Sequence, residues 1–132
     1  MALYLDTSAL VKLVAEERES DDLRAFVGEQ ELVTSLIART ELVRAVARKH
    51  ERMIEQAEDV LSELAYIAVN RLTTSAAAWV QPWSLRSQDA LHVASAARMN
   101  ASLKALVTYD KRMIRAATRA GLPVASPGGA AA

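Results

Sequence analysis

Two rhythms alternate along this chain. Short β-prone runs read as buried strands: Ala2-Leu3-Tyr4-Leu5, Glu31-Leu32-Val33-Thr34, Tyr66-Ile67-Ala68-Val69, Ala105-Leu106-Val107-Thr108 and a brief stretch from Leu122 to Val124. Between them the apolar residues fall at steps of three and four. Ala9 to Ala15 predicts a short helix, and Ser20 or Asp21 offers a cap for a second one that carries Leu23, Phe26 and Val27 and stops at Gly28. Thr34 and Ser35 offer caps for the next helix, where Leu36, Ile37, Val43, Val46 and Ala47 share a face and Arg39, Arg44 and Arg48 lie mostly elsewhere on the wheel. Met53, Ile54, Ala57, Val60, Leu61 and Leu64 repeat the spacing, which predicts a helical hairpin or one long helix bent near His50.

In the second half, Thr73 or Thr74 is expected to cap a helix through Trp79 or Val80, and Pro82 marks a turn. Ser87 is expected to cap a helix whose Ala90, Ala94 and Ala97 form a small-residue face, and Asp110 a helix that runs to Ala120. Strands that alternate with helices require crossovers longer than a hairpin, which predicts a parallel sheet covered on both sides. The expected class is α/β, as a three-layer α/β/α sandwich with a central parallel sheet. One domain is expected over residues 1–125, and residues 126–132 lack any core-forming pattern and are expected to form a flexible C-terminal tail.

Composition narrows the chemistry. With 132 residues and 52% hydrophobic side chains, the chain can bury one core. No apolar run approaches the roughly 18 residues of a membrane span. Met1 leads into a strand without a charged leader, so a cytoplasmic location away from membranes is expected. The absence of cysteine excludes disulfides, thiolate metal sites and a cysteine nucleophile. Glycine occurs only at Gly28, Gly121, Gly128 and Gly129, which excludes the dinucleotide fingerprint and the Walker loop. For an enzyme without an organic cofactor, carboxylates are the reagents left. Charge is uneven: three basic and eight acidic side chains over residues 1–31, six and six over 32–85, and seven and two over 86–132. The basic last third could face a polyanion or simply be solvated helix surface.

Four acids fall toward one edge of the expected sheet. Asp6 follows the first strand, Asp110 follows the fourth, Glu41 lies in the helix after the second, and Asp89 opens the small-residue helix. Open α/β sheets bind ligands at that carboxyl edge. Each acid also has a purely structural reading: Asp6 and Asp110 as helix caps, Asp89 as complement to a helix dipole, Glu41 as partner of Arg44. Thr7 or Ser8 could take over the capping and free the Asp6 carboxylate. An aspartate-based phosphatase is disfavoured because the position two residues after Asp6 is Ser8.

Leu5-Asp6-Thr7-Ser8-Ala9-Leu10, Glu41, Asp89-Ala90-Leu91-His92-Val93-Ala94-Ser95-Ala96 and Val107-Thr108-Tyr109-Asp110, taken in order, resemble the PIN-domain ribonucleases. Within these the chain is similar to the VapC-type toxins of toxin–antitoxin pairs, over residues 2–124. The resemblance implies a PIN-like fold whose acids surround Mg²⁺, with Mn²⁺ able to substitute, and maps the catalytic and metal-binding set onto Asp6, Glu41, Asp89 and Asp110. Ser8 and Thr108 are the implied polar supports. On this reading Asp6 and Asp89 contact metal most directly, while Glu41 and Asp110 act through water or orient the attacking one; a second ion could arrive with substrate. His92 is expected to pack or hydrogen-bond.

The implied reaction is endonucleolytic cleavage of RNA to 3′-hydroxyl and 5′-phosphate ends, and the implied partners are a VapB-type antitoxin and a second copy of the chain. Arg39, Arg86, Lys111, Arg112, Arg115 and Arg119 are candidates for the RNA backbone. Trp79 and Trp83 are candidates for base stacking, for core burial or for a subunit contact. The competing reading is a catalytically silent PIN-like interaction or regulatory module.

Overall fold

The computed structural model describes residues 1–129. Ala2–Leu5 form β1, all four residues buried, followed by β2 (Leu32–Ser35), β3 (Ala65–Ile67), β4 (Leu103–Val107) and β5 (Val124–Ala125). The strands make one parallel sheet in the order β3-β2-β1-β4-β5. The helices between them are α1 (Thr7–Val14), α2 (Ser20–Val27), α3 (Ala38–Lys49), α4 (Ile54–Ser62), α5 (Arg71–Ala77), α6 (Ser87–Ala97) and α7 (Lys111–Arg119).

Alternation along β1 separates two cores. Leu3 and Leu5 pack with residues of α1 to α4 on one face, and Ala2 and Tyr4 with residues of α6 and α7 on the other. Ala77, Ala90 and Ala94 form a small cluster that lets α5 lie close against α6. The result is the expected three-layer α/β/α sandwich. Among the described residues, no helix is long and apolar enough to cross a membrane.

Helix boundaries depart from expectation where another partner captures the expected cap. The Ser20 hydroxyl donates to the Lys12 carbonyl at 2.7 Å and so ties α2 back to α1 instead of capping its own helix. Asn70 caps α5 by accepting from the Thr73 N–H at 3.1 Å, while the Thr73 hydroxyl donates to the Ala68 carbonyl. No side chain caps α6, which follows Arg86 directly. Strand β2 extends through Ser35, so α3 begins only at Ala38. His50 takes an extended conformation with φ −154°, and a single 3₁₀ turn over Glu51–Met53 leads into α4, so the long helical pattern is a hairpin. Gly28, at φ +47°, ends α2 in the left-handed region that favours glycine.

Trp79 and Trp83 are 77% and 65% exposed and meet edge to face at 6.2 Å, so neither is a core residue. Beyond β5, Ser126 donates to the Thr108 carbonyl at 2.5 Å, and the Tyr109 hydroxyl donates to that of Pro127 at 2.7 Å. The rest of the expected tail, residues 130–132, lies outside the described residues.

Sheet order locates the ligand crevice. From β1 the chain winds outward through β2 to β3, then returns across the sheet to β4 and β5. The direction of winding reverses between β1 and β4, and the crevice of an open α/β sheet lies at the carboxyl ends of such a pair.

Candidate active site

Register brings the first two site residues together. Leu5 is paired with Val107, so Asp6 and Thr108 leave adjacent strands side by side, and the Asp6 N–H donates to the Val107 carbonyl at 3.2 Å. The Asp6 carboxylate is buried. Its Oδ1 accepts from the Ser8 hydroxyl at 2.7 Å and the Ala9 N–H at 3.0 Å, and its Oδ2 accepts from the Thr108 hydroxyl at 2.5 Å. Asp6 itself therefore caps α1, which corrects the expectation that Thr7 or Ser8 would do so. Capping and a place in the cleft are compatible because a carboxylate offers about four lone-pair sites. Burial pushes the Asp6 carboxyl above the usual range, against the pull of the hydrogen bonds from Thr108, Ser8 and Ala9.

Glu41, in the first turn of α3, does not pair with Arg44 as its sequence neighbourhood suggested. Its Oε1 accepts from the Thr7 hydroxyl at 2.8 Å and lies 2.7 Å from His92 Nε2. Burial raises this carboxyl, but the hydrogen bonds of His92 and Thr7 and the nearby Arg86 charge outweigh it and hold Glu41 below the usual range. His92 is 1% exposed, and its other ring nitrogen meets the Tyr4 hydroxyl at 2.7 Å. The expectation of a hydrogen-bonding His92 is met, with partners that no local pattern names.

Asp89 and Asp110 share one cation. Arg86 Nε donates to Asp89 Oδ2 at 3.1 Å, and its Nη2 lies 3.9 Å from Asp110 Oδ2. Asp110 also caps α7, accepting from the Arg112 N–H at 2.8 Å. The Arg86 side chain is 62% exposed, so the pairing is screened and weak.

All four acids line a single open cleft of about 560 Å³, together with Thr7, Ser8, His92 and Arg86. Thr108 is buried behind Asp6. Of the basic candidates only Arg86 lines this cleft; Arg39 pairs with Glu58 at 3.6 Å and Arg119 bonds Gln81 at 2.6 Å. Two cations missed in the sequence do line it, Arg44 and Arg48. The signal was their spacing: three and seven residues after Glu41 they continue its stripe down α3. Neither Trp79 nor Trp83 reaches this cleft.

The donors on the cleft are carboxylate and hydroxyl oxygens, the kind that hard divalent cations prefer. Among the described residues no three acidic or histidine side chains close on one point as they stand, and the guanidinium of Arg86 is the cation that Asp89 holds. Glu41 Oε2 and Asp89 Oδ1 accept no hydrogen bond from described residues and are open to a further partner.

Comparison with known proteins bears on the family and the fold. The PIN domain model matches residues 3–119. Ribonuclease VapC46 of Mycobacterium tuberculosis is 39% identical over 127 residues, 96% of this chain and 98% of its own. Ribonuclease VapC47 of the same species is 37% identical over 132 residues, 96% of this chain and 97% of its own. Among solved structures, M. tuberculosis VapC20, described as a sarcin–ricin loop cleaving toxin, has a TM-score of 0.72 at 14% identity, covering 92% of this chain and 96% of its own. A chain of Rickettsia felis VapBC2, bound to a DNA fragment from its promoter, has a TM-score of 0.70 at 19% identity, covering 95% of this chain and 98% of its own. The two structural likenesses establish the fold, and the model match and the close relatives establish the family. The chain belongs to the PIN-domain family and, within it, to the VapC ribonucleases.

Proposed function

We propose that this protein is a Mg²⁺-dependent endoribonuclease, with Mn²⁺ a competent substitute, and that it is the toxin of a toxin–antitoxin pair. The observation that carries the reading is the gathering of Asp6, Glu41, Asp89 and Asp110 on one cleft that Arg44, Arg48 and Arg86 also line. Acids alone would repel a polynucleotide, and arginines alone would bind one without cutting it. The all-oxygen donor set suits Mg²⁺. When bound, the ion supplies positive charge for the phosphate oxygens and acidity for a water.

The remaining work belongs to the chain. Asp6 and Asp89 hold the ion, Asp6 being fixed in place by three donors. Glu41, kept ionised, and Asp110 orient the attacking water. Arg44, Arg48 and Arg86 bind phosphates, and a phosphodiester in the cleft competes with Asp89 for the Arg86 guanidinium. The products carry 3′-hydroxyl and 5′-phosphate ends.

The ribonuclease names of the relatives support RNA as substrate. The VapBC assembly among the structural neighbours supports an antitoxin of the VapB type as partner. A homodimer and a cytoplasmic location belong to the same reading.

Purified protein incubated with total cellular RNA is expected to cut it with Mg²⁺ or Mn²⁺ and to stop when EDTA is added. Equal cleavage with and without EDTA would overturn the metal assignment, and none under any condition would favour a silent interaction module.

The arginine track has its own test. With Asp6→Asn and a single-stranded RNA, binding should weaken linearly in log K against log salt. Arg44→Ala and Arg48→Ala should each reduce that slope by about 0.7, the value for one phosphate contact on a single strand. Unchanged slopes would remove both residues from the RNA path.

A further inference from the structure

Glu41 joins its backbone through a long flexible side chain, and no residue of its own helix holds the carboxylate. What holds it comes from α1 and α6: the Thr7 hydroxyl at 2.8 Å and His92 Nε2 at 2.7 Å, both on Oε1. Behind His92 stands Tyr4 of β1, fully buried at the centre of the sheet. Its hydroxyl is 2.7 Å from His92 Nδ1, and the two rings meet edge to face at 5.9 Å. A continuous line of side chains thus runs from the middle strand to the cleft.

Proton positions along this line follow from what each group can do. An ionised carboxylate only accepts, so His92 Nε2 carries the hydrogen that faces Glu41. Burial raises the Tyr4 phenol well above its ordinary value, so it stays protonated. Its oxygen lies 2.7 Å from His92 Nδ1, with the Ser95 and Thr34 hydroxyls also beside the phenol. The Nδ1-protonated tautomer would turn a lone pair toward the carboxylate and repel it, and a flipped ring would offer it a carbon in place of Nε2.

We propose that His92 is a positioning residue for Glu41, its ring held in orientation by the Tyr4 hydroxyl so that the Nε2 hydrogen fixes Oε1 and Oε2 is left free for the cleft. The proposal rests on the ribonuclease reading for its effect on cleavage, but not for its geometry. Partners that hold a metal-site carboxylate typically matter about 10- to 100-fold for metal affinity or activity. A histidine that served only packing would be replaced without such loss by a side chain of similar bulk.

Three measurements on the full chain test this. In wild-type protein, imidazole ¹⁵N spectroscopy, with His50→Gln to assign the two rings, should show a hydrogen on His92 Nε2. Mn²⁺ affinity, read by electron paramagnetic resonance, should fall about 10- to 100-fold in His92→Leu and stay within a few-fold in His92→Gln, whose amide restores a donor. On RNA, His92→Leu should lose kcat by a similar factor with KM little changed, and His92→Gln should recover most of it.

A ring with no hydrogen on Nε2 overturns the proposal. So does a folded His92→Leu that matches wild type in Mn²⁺ affinity and kcat, or a folded His92→Gln as impaired as His92→Leu. If neither variant folds, the wild-type ring spectrum decides. A wild-type protein that cleaves no RNA would overturn the ribonuclease reading alone, because the spectrum and the Mn²⁺ affinities judge the positioning role without it.

Discussion

Asp6→Asn is expected to lose RNA cleavage by on the order of a thousand-fold or more, because several kcal/mol of transition-state charge stabilisation depend on a properly held cation. The same change should leave the metal-free protein folded, with a melting temperature near or above that of wild type. Asparagine loses one accepting oxygen among the bonds from Ser8, Ala9 and Thr108, which costs about 1–2 kcal/mol. Against this stands removal of a buried charge. Burial raises the folded-state pKa of Asp6, so across the window between its ordinary and its raised value the folded chain holds a proton that the unfolded chain releases. Wild-type stability from this group therefore falls as pH rises through that window, and the variant lacks the fall.

Melting curves of the two proteins in EDTA, compared from acid to neutral pH, should diverge in favour of Asp6→Asn as pH rises. Added Mg²⁺ should then raise the melting temperature of wild type and not of the variant. Full cleavage by a folded Asp6→Asn, or equal metal shifts in the two, would remove Asp6 from the site.

Thr108→Val carries the second large effect, of the opposite kind. Valine matches threonine in shape but removes the donor to Asp6 Oδ2 at 2.5 Å and the acceptor of the Asp110 N–H at 3.2 Å. A buried bond to a charged group contributes about 1.5–3 kcal/mol. For a domain of this size that corresponds to on the order of 10 °C in melting temperature. The Asp6 carboxyl should rise further, and cleavage should fall most at the acid end of its pH range. In the double variant with Asp6→Asn the cost should be less than the sum, since the carboxylate that Thr108 serves is already gone. Additive losses would show that Thr108 acts elsewhere.

The acid site was legible to different depths. Asp6 and Asp110 were visible because each ends a β-prone run, and Asp89 because it opens a helix with a small-residue face. Glu41 lies within a helix, where an acid near an arginine is ordinary surface chemistry. Only its place in the helix after the second strand singled it out, and its actual partners, Thr7 and His92, are 34 and 51 residues away. Arg44 and Arg48 were passed over because apolar periodicity marks the face toward the core and says little about which polar face borders a cleft. The choice of caps failed at Ser20, Thr73 and Ser87 for a related reason. Competing caps differ by about 1 kcal/mol, and at Ser20 and Thr73 one tertiary hydrogen bond is enough to redirect the hydroxyl.

What the chain determined by itself was local: where strands and helices lie, that they alternate, and that carboxylates stand at the ends of apolar runs. These follow from periodicity and turn chemistry within a few residues, which any neighbouring packing must respect. Tertiary structure alone decided that β1 lies beside β4, which joins Asp6 to Thr108 across 102 positions of chain. It also decided that Arg86 spans Asp89 and Asp110, and that Tyr4 and His92 stand behind Glu41. Such pairings depend on which buried donors and acceptors meet once the sheet order is set. A buried polar group left without a partner costs about 1–3 kcal/mol, as much as or more than a helix cap contributes.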